Sequence, residues 1–379
     1  MTNGPGQGLR ILFVTQELNS SSVNLAVAHN WTGELAKRVD SVHVLAGRVV
    51  DTELPPNVYV HSMGCESSRS RGRRVYQFGA TCVSLLASGR VNAVFAHMVP
   101  AYAVAIGPVA RLARAPLVLW YTSHGKSSAL IWANRIVNAA VTASVESYPI
   151  PSNRAFLLGH GIDTQRFAPS GLPLSGTGAV LGMAGRLTPL KGFDTGIRAL
   201  ATLRNNGYPN ASLRIAGEPF YSADHQYVKD LRLLATELAV DQAVEFVGPV
   251  RGDSMAQFYR SLSVFVNWRM QPSLDKTGLE AMACGIPLIT NNSSYRNVMG
   301  KLAHNFLVGD TPAELARGID GVLGLHPNLL DATISRLRTS VVEGHGADGL
   351  VGKLVAVLDS VKRGDRPDFP SVAERRSEL

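Results

Sequence analysis

The chain has 379 residues, 45% of them apolar and 17% charged, with a formal net charge of +8 and three cysteines. Such a composition excludes a disordered chain, and the length exceeds a single hydrophobic core, so two domains are expected. Cys65, Cys82 and Cys284 form no Cys-x-x-Cys pair, which disfavours a structural zinc site or a disulfide framework and suits a reducing cytosol.

Residues 1–10 lack the apolar core of a signal peptide, and the apolar stretch 91–120 is broken by Asn92, His97, Pro100, Pro108, Arg111 and Arg114. A cytoplasmic protein, at most peripheral on the inner face of the membrane, is the expectation. Ile11-Leu-Phe-Val-Thr15 predicts a first buried strand. A helix with Val27, Trp31, Leu35 and Val39 at four-residue spacing follows, then a strand over 41–46. Further apolar runs occupy 58–61, 93–96, 117–120 and 139–142, with helical segments at 75–86 and 103–112. This alternation predicts a parallel sheet covered by helices.

Three places in this half offer polar groups. After the first strand, Gln16-Glu-Leu-Asn-Ser-Ser-Ser22 presents amides and hydroxyls, which makes Gln16 and Asn19 candidate ligand contacts. His97 ends a strand and is a weaker site candidate, a packed structural histidine being the favoured reading. His124 lies just past the strand over 117–120. The densest basic cluster contains Arg69, Arg71, Arg73 and Arg74. It reads as a solvated loop or as a contact with acidic phospholipid or a lipid diphosphate acceptor. No nucleic-acid motif accompanies the charge, so nucleic acid is not an expected partner.

Residues 168–178, rich in Pro, Gly and Ser, predict a hinge. The domains are therefore drawn as 1–170, 171–360 and a tail over 361–379 that is disordered or packed back on the first domain. A second strand–helix series starts near Ala179. Its helix after Lys191 buries Phe193, Ile197 and Leu200, and strands follow over 212–216, 244–247 and 264–267. Thr311-Pro-Ala-Glu314 is a capping box that starts a late helix.

Two segments carry the chemistry: Gly185-Arg-Leu-Thr-Pro-Leu-Lys-Gly-Phe-Asp194 and Ser273-Leu-Asp-Lys-Thr-Gly-Leu-Glu-Ala-Met-Ala-Cys-Gly285. The first sets Arg186 at a strand end and Lys191 where a helix begins. The second sets Glu280 in the first turns of another helix. Cations beside helix N-termini suit a diphosphate, because free N–H groups and the helix dipole also favour anions. A carboxylate near such a start can hold a pair of ribose hydroxyls.

These segments resemble the signature of the retaining glycosyltransferases of family 4. Phe95-Ala-His-Met98, Leu119-Trp-Tyr-Thr-Ser-His-Gly125, Gly159-His-Gly-Ile-Asp163 and Val244-Glu-Phe-Val-Gly248 fall in the same order as similar strings in that family. The resemblance implies an α/β chain of the GT-B type, with two Rossmann-like, doubly wound parallel-sheet domains facing a cleft. It implies an acceptor-binding first domain and a nucleotide-sugar-binding second domain. The reaction would move a sugar, with retention, from a UDP- or GDP-linked donor to a hydroxyl acceptor in surface-glycan or lipid-linked saccharide synthesis.

Within the resemblance, Arg186 and Lys191 contact the donor diphosphate beside Gly185, His124 stands near the transferred sugar as a third catalytic candidate, and Gln16, Asn19 and His97 are the acceptor-side candidates. Glu280 matches the second glutamate of the family's E-x7-E motif. The first is missing, Pro272 standing in its place. Asp275, Lys276 and the backbone N–H groups of Thr277 and Gly278 are the candidates to replace it. Val247 and Arg251 belong to a stretch that resembles the border of the nucleotide base. No pair of acids is placed for a metal-bound donor, and two cations supply the charge a divalent ion would bring, so no metal or cofactor is expected. A catalytically silent nucleotide-sugar-binding protein and an epimerase of the same fold are the competing readings.

Overall fold

Ile11 and Phe13 face one side of the first strand, Leu12 and Val14 the other, and all four are buried. A strand covered on both faces has no polar side to alternate with, which is why it reads as an unbroken apolar run. The computed structural model describes residues 6–20, 26–50, 53–66, 70–170, 178–272 and 274–377. Two units emerge, one from residues up to His160 together with 348–379, the other from 161–347.

Among the described residues the first unit holds seven parallel strands: β1 (Arg10–Leu18), β2 (Ser41–Val49), β3 (Val58–Ser62), β4 (Ala93–His97), β5 (Leu117–Trp120), β6 (Ala139–Thr142) and β7 (Ala155–Leu157). Their order is β3-β2-β1-β4-β5-β6-β7, so the chain reverses direction across the sheet between β1 and β4. One face packs on Trp31 and Leu35; the other packs on Leu85, Ile106 and Leu130.

The second unit holds five parallel strands among the described residues: β8 (Val180–Ala184), β9 (Ser212–Ala216), β10 (Val244–Gly248), β11 (Val264–Asn267) and β12 (Leu288–Thr290). Their order is β10-β9-β8-β11-β12, with the reversal between β8 and β11. The capping box at Thr311 is formed, its hydroxyl and the Glu314 carboxylate satisfying each other's backbone N–H.

Several boundaries differ from the expectation. β1 runs on to Leu18, because Glu17 and Leu18 still pair with Arg48 and Val49 of β2. Gln16 therefore sits inside a strand, not in a loop; apolar runs mark burial, while backbone pairing continues past them. The helix expected from residue 75 begins at Arg71, capped by the Ser70 hydroxyl, which accepts from the Arg73 N–H at 3.4 Å. Arg71, Arg73 and Arg74 thus occupy a first helical turn; Arg69 and residues 171–177 of the expected hinge lie outside the described residues.

The helix Ala347–Arg363 belongs almost wholly to the first unit, not to the second as a boundary at 360 implied. Leu350, Val351, Leu354, Val355 and Leu358 form an apolar stripe that joins the core around Leu9 and Trp31. Further on, Ser371 bridges to Phe156 of β7, and a short helix follows over Val372–Ser377. No described helix is long and apolar enough to cross a membrane.

Candidate functional site

In an open parallel sheet, ligands bind beyond the carboxyl ends of the strands where the strand order reverses. In the second unit that place lies between β8 and β11, and both sequence motifs start there. Gly185 leaves β8 with φ +139° and donates its N–H to Ala216 O at 3.0 Å. The neighbouring loops are laced by backbone bonds, Leu187 N–H to Glu218 O at 3.0 Å and Gly217 N–H to Gly248 O at 2.8 Å. They lie so close that a Cβ at Gly217 would stand 1.9 Å from the Gly185 carbonyl oxygen.

A 3-10 turn, Pro189–Lys191, then aims Lys191 back over this edge. Its Cε would be 3.2 Å from a Cβ at Gly185, a contact that only glycine leaves comfortable. Lys191 Nζ donates to Asp275 Oδ2 at 2.5 Å; the side chains are only 14% and 16% exposed. Asp275 immediately precedes the helix Lys276–Ala283, which follows β11.

Asp275 is the centre of the arrangement. Arg269 Nη1 lies 3.1 Å from the same Oδ2, while Asn267 Nδ2, Thr277 Oγ1 and Tyr295 Oη donate to Oδ1 at 2.8, 2.9 and 3.0 Å. Burial opposes its ionisation, yet the charges of Lys191 and Arg269, with the Thr277 hydroxyl, hold its carboxyl well below the usual range. Tyr295 also donates to the Asp275 carbonyl at 2.8 Å. Gly278 makes room for it, since a Cβ there would meet Tyr295 Oη at 2.3 Å.

Glu280 sits one turn further along the same helix, half-buried, with Tyr259 Oη donating to Oε2 at 3.0 Å. Burial and the negative charge of Asp275 push its carboxyl up to about 7, against the pull of Lys276, the Tyr259 hydroxyl and Arg166. Arg186, the residue after Gly185, is exposed and forms no ion pair among the described residues; its guanidinium lies over the Phe220 ring, 5.4 Å from the centroid.

Of the residues expected at the site, Gly185, Lys191, Asp275, Thr277 and Gly278 come together around one carboxylate, with Glu280 and Lys276 on the adjoining helix face. Asp275 is engaged by protein groups on both oxygens. Val247 is half-buried in β10, and Arg251 is paired to Glu218 at 2.8 Å on the surface. In the first unit His97 is buried at 2% exposure, its Nδ1 3.1 Å from Thr15 Oγ1, with the Trp31 ring edge-on at 5.5 Å. Gln16 and His124 are exposed, His124 in the loop after β5; Asn19 is half-buried and donates to Glu17 Oε1 at 2.9 Å.

Arg269, Asn267, Tyr295 and Tyr259 were not foreseen. Arg269, two residues past β11, stands in the same relation to its strand end as Arg186 does to β8, and that parallel is the signal that could have found it. With Lys191, it leaves one positive charge in excess of Asp275 before Arg186 is counted. Two helix N-termini point at the same edge, those of Phe193–Asn205 and Lys276–Ala283. Such a place favours an anion with several oxygens.

The family model described as "Glycosyl transferases group 1" matches residues 178–324. A D-inositol 3-phosphate glycosyltransferase of Acidothermus cellulolyticus is 31% identical over 230 residues, 56% of this chain and 51% of the relative. Another of the same name, from Geodermatophilus obscurus, is 26% identical over 266 residues, 66% of this chain and 59% of the relative. The chain thus spans about half the length of the curated relatives it matches. Among solved structures, Anabaena HepE in complex with UDP superposes with a TM-score of 0.73 at 19% identity, covering 93% of this chain and 100% of that one. The fold is GT-B, two Rossmann-like parallel-sheet units.

Proposed function

We propose that the chain, whose residues 178–324 match the group 1 glycosyl transferase family model, transfers a sugar from a nucleoside diphosphate donor to a hydroxyl acceptor with retention of configuration. The observation that carries the proposal is the convergence of Lys191, Arg269 and Glu280's helix on the switch point between β8 and β11. In this reading Lys191, Arg186 and Arg269 hold the diphosphate and stabilise the charge that grows on it as the sugar–phosphate bond breaks. Glu280 takes the ribose hydroxyls. The complexes of Anabaena HepE with UDP and with UDP-glucose support a UDP-linked donor.

Three protein cations in place of a divalent ion make the reaction metal-independent in this reading. His124 stands near the transferred sugar in this reading, and Gln16 and Asn19 belong to the acceptor side. The acceptor is assigned to the lipid-linked or surface-glycan class. Support comes from Arg71, Arg73 and Arg74, which occupy a helical first turn where the dipole opposes cations and an anionic surface would favour them. The protein is then peripheral on the inner face of the cell membrane.

A silent nucleotide-sugar-binding protein is the second reading, favoured by one observation: Asp275, the acid nearest the missing first glutamate, is engaged on both oxygens. Calorimetric titration with UDP, GDP and their sugars, followed by product analysis with and without acceptor, separates the readings. Transfer requires a new glycoside; an epimerase changes donor alone; a silent protein binds and returns its ligand unchanged. Failure to bind any nucleotide, at millimolar concentration, would sink all three.

A further inference from the structure

A groove of about 1020 Å³ lies wholly within the first unit, at the amino ends of β5 and β6. It is at the opposite edge of the sheet from His97 and His124, which follow strand carboxyl ends. Its walls are the last turns of the helices Pro100–Leu112 and Ser128–Ile136, with one side closed by the helix Ala347–Arg363. Five cations line it, Arg111, Arg114, Arg135, Arg154 and Lys362, and no acidic residue does. None of the five forms an ion pair among the described residues.

Local structure accounts for only part of this charge. Arg111 and Arg135 stand in the last turns of their helices, where the helix dipole favours a cation. Lys362 donates to the Gly8 carbonyl at 2.7 Å. Arg114 has no such role. It occupies the left-handed turn after the first helix at φ +53°, a position where glycine folds with least strain. Its side chain is there at a conformational cost.

The groove is also apolar at its rim. Trp132 is 57% exposed and Ile136 41% exposed, on one helix face, and Leu112 beside the groove is 86% exposed. Arg135 lies over the Trp132 ring at 5.1 Å, which orders the indole without covering it. Arginines beside an exposed indole and aliphatic carbon match a ligand with phosphate at one end and hydrocarbon at the other.

We propose that this groove binds a phosphate-bearing lipid of an anionic membrane surface, the arginines taking the phosphate and Trp132 and Ile136 the adjoining acyl carbons. The inference does not rest on the reaction assigned to the second unit. It is also separate from the arginines at the start of the helix Arg71–Ala87.

Trp132 supplies the readout, because Trp31, Trp120 and Trp268 are each under 5% exposed. Vesicles of phosphatidylcholine with phosphatidylglycerol should shift its emission to the blue, and Trp132→Phe should abolish the shift. Charge reversal at Arg111, Arg114 and Arg135 should weaken vesicle binding by roughly fivefold per arginine, while Arg71, Arg73 and Arg74 changed to Glu should leave the Trp132 shift in place. Circular dichroism and thermal denaturation verify that each variant is folded. Should the reversed variant bind anionic vesicles like the parent with no emission change, the site is not a lipid site. Equal binding of soluble glycerol 3-phosphate or inorganic phosphate would overturn it in favour of a soluble phosphate ligand.

Discussion

Lys191 Nζ stands 2.5 Å from Asp275 Oδ2, joining residues 84 apart in sequence across the gap between β8 and β11. Asp275 thereby occupies, for Lys191 and Arg269 together, the place an anionic oxygen would take. A diphosphate arriving at this edge finds its cations already oriented, which lowers the entropy of holding two long side chains. Asp275 is in this sense a positioning residue for the lysine.

Asp275→Asn is expected to cost about 2–4 kcal/mol of stability at neutral pH, since it leaves two poorly solvated cations facing a neutral amide. The pH dependence carries a definite sign. A carboxyl held below its ordinary value contributes stability that is complete above the unfolded pKa, near 3.8, and is lost as pH falls toward the folded value. The gap between parent and variant, measured by urea denaturation, should therefore close below pH 3. Equal stability at pH 7 would remove Asp275 from the centre of the site.

Arg186 and Lys191 should separate by readout. Arg186 is exposed and without an ion pair among the described residues, so Arg186→Ala should leave the unfolding free energy within about 0.5 kcal/mol of the parent while weakening UDP at least tenfold. Lys191→Ala should lower kcat/KM by a factor on the order of 10²–10³ and also destabilise, because Asp275 keeps Arg269 as its one cationic partner among the described residues. Wild-type turnover in both variants is incompatible with a diphosphate held by these side chains.

Gly217→Ala tests how tightly the strand-end loops are stacked. The substitution sets a methyl 1.9 Å from Gly185 O at a φ of +149°, so the loop bearing Arg186 must move. A loss of about 2–4 kcal/mol, together with weakened nucleotide binding, is expected. Gly207→Ala is the comparison: it shares a positive φ of +109° but meets nothing within 4 Å, so it should show a backbone cost alone and leave binding intact.

Much of this was legible because it is local. Gly185, Arg186, Lys191 and Glu280 belong to two short strand–turn–helix segments, where residue order alone fixes which group stands at a strand end. The partners were not legible for the opposite reason. Tyr259, Arg269 and Tyr295 reach Glu280 and Asp275 from other elements, and no spacing within one motif reports that. The same limit applies to the helix Ala347–Arg363, whose stripe announced burial without saying against which sheet. At Asp275 the sequence offered a sugar ligand, whereas its two oxygens are held by five side chains.

Glu280→Gln should separate binding from stability in opposite directions. The folded carboxyl titrates near 7, above the ordinary glutamate value, because burial and Asp275 disfavour its charge. A raised value gives stability that is fully present below the unfolded pKa and is lost as pH rises through the folded one. Ligand-free parent protein is thus strained at pH 8 by an ionised, half-buried carboxylate. A neutral amide relieves that, so Glu280→Gln should be more stable than the parent at pH 8 by about 1–3 kcal/mol and indistinguishable at pH 4. Binding runs the other way: ribose hydroxyls donate best to the ionised form, so UDP affinity of the parent should climb as pH passes about 7 and stay flat in the variant. A variant that loses stability at pH 8, or a parent whose affinity ignores pH, would show that this acid is a structural group and that the ribose is held elsewhere.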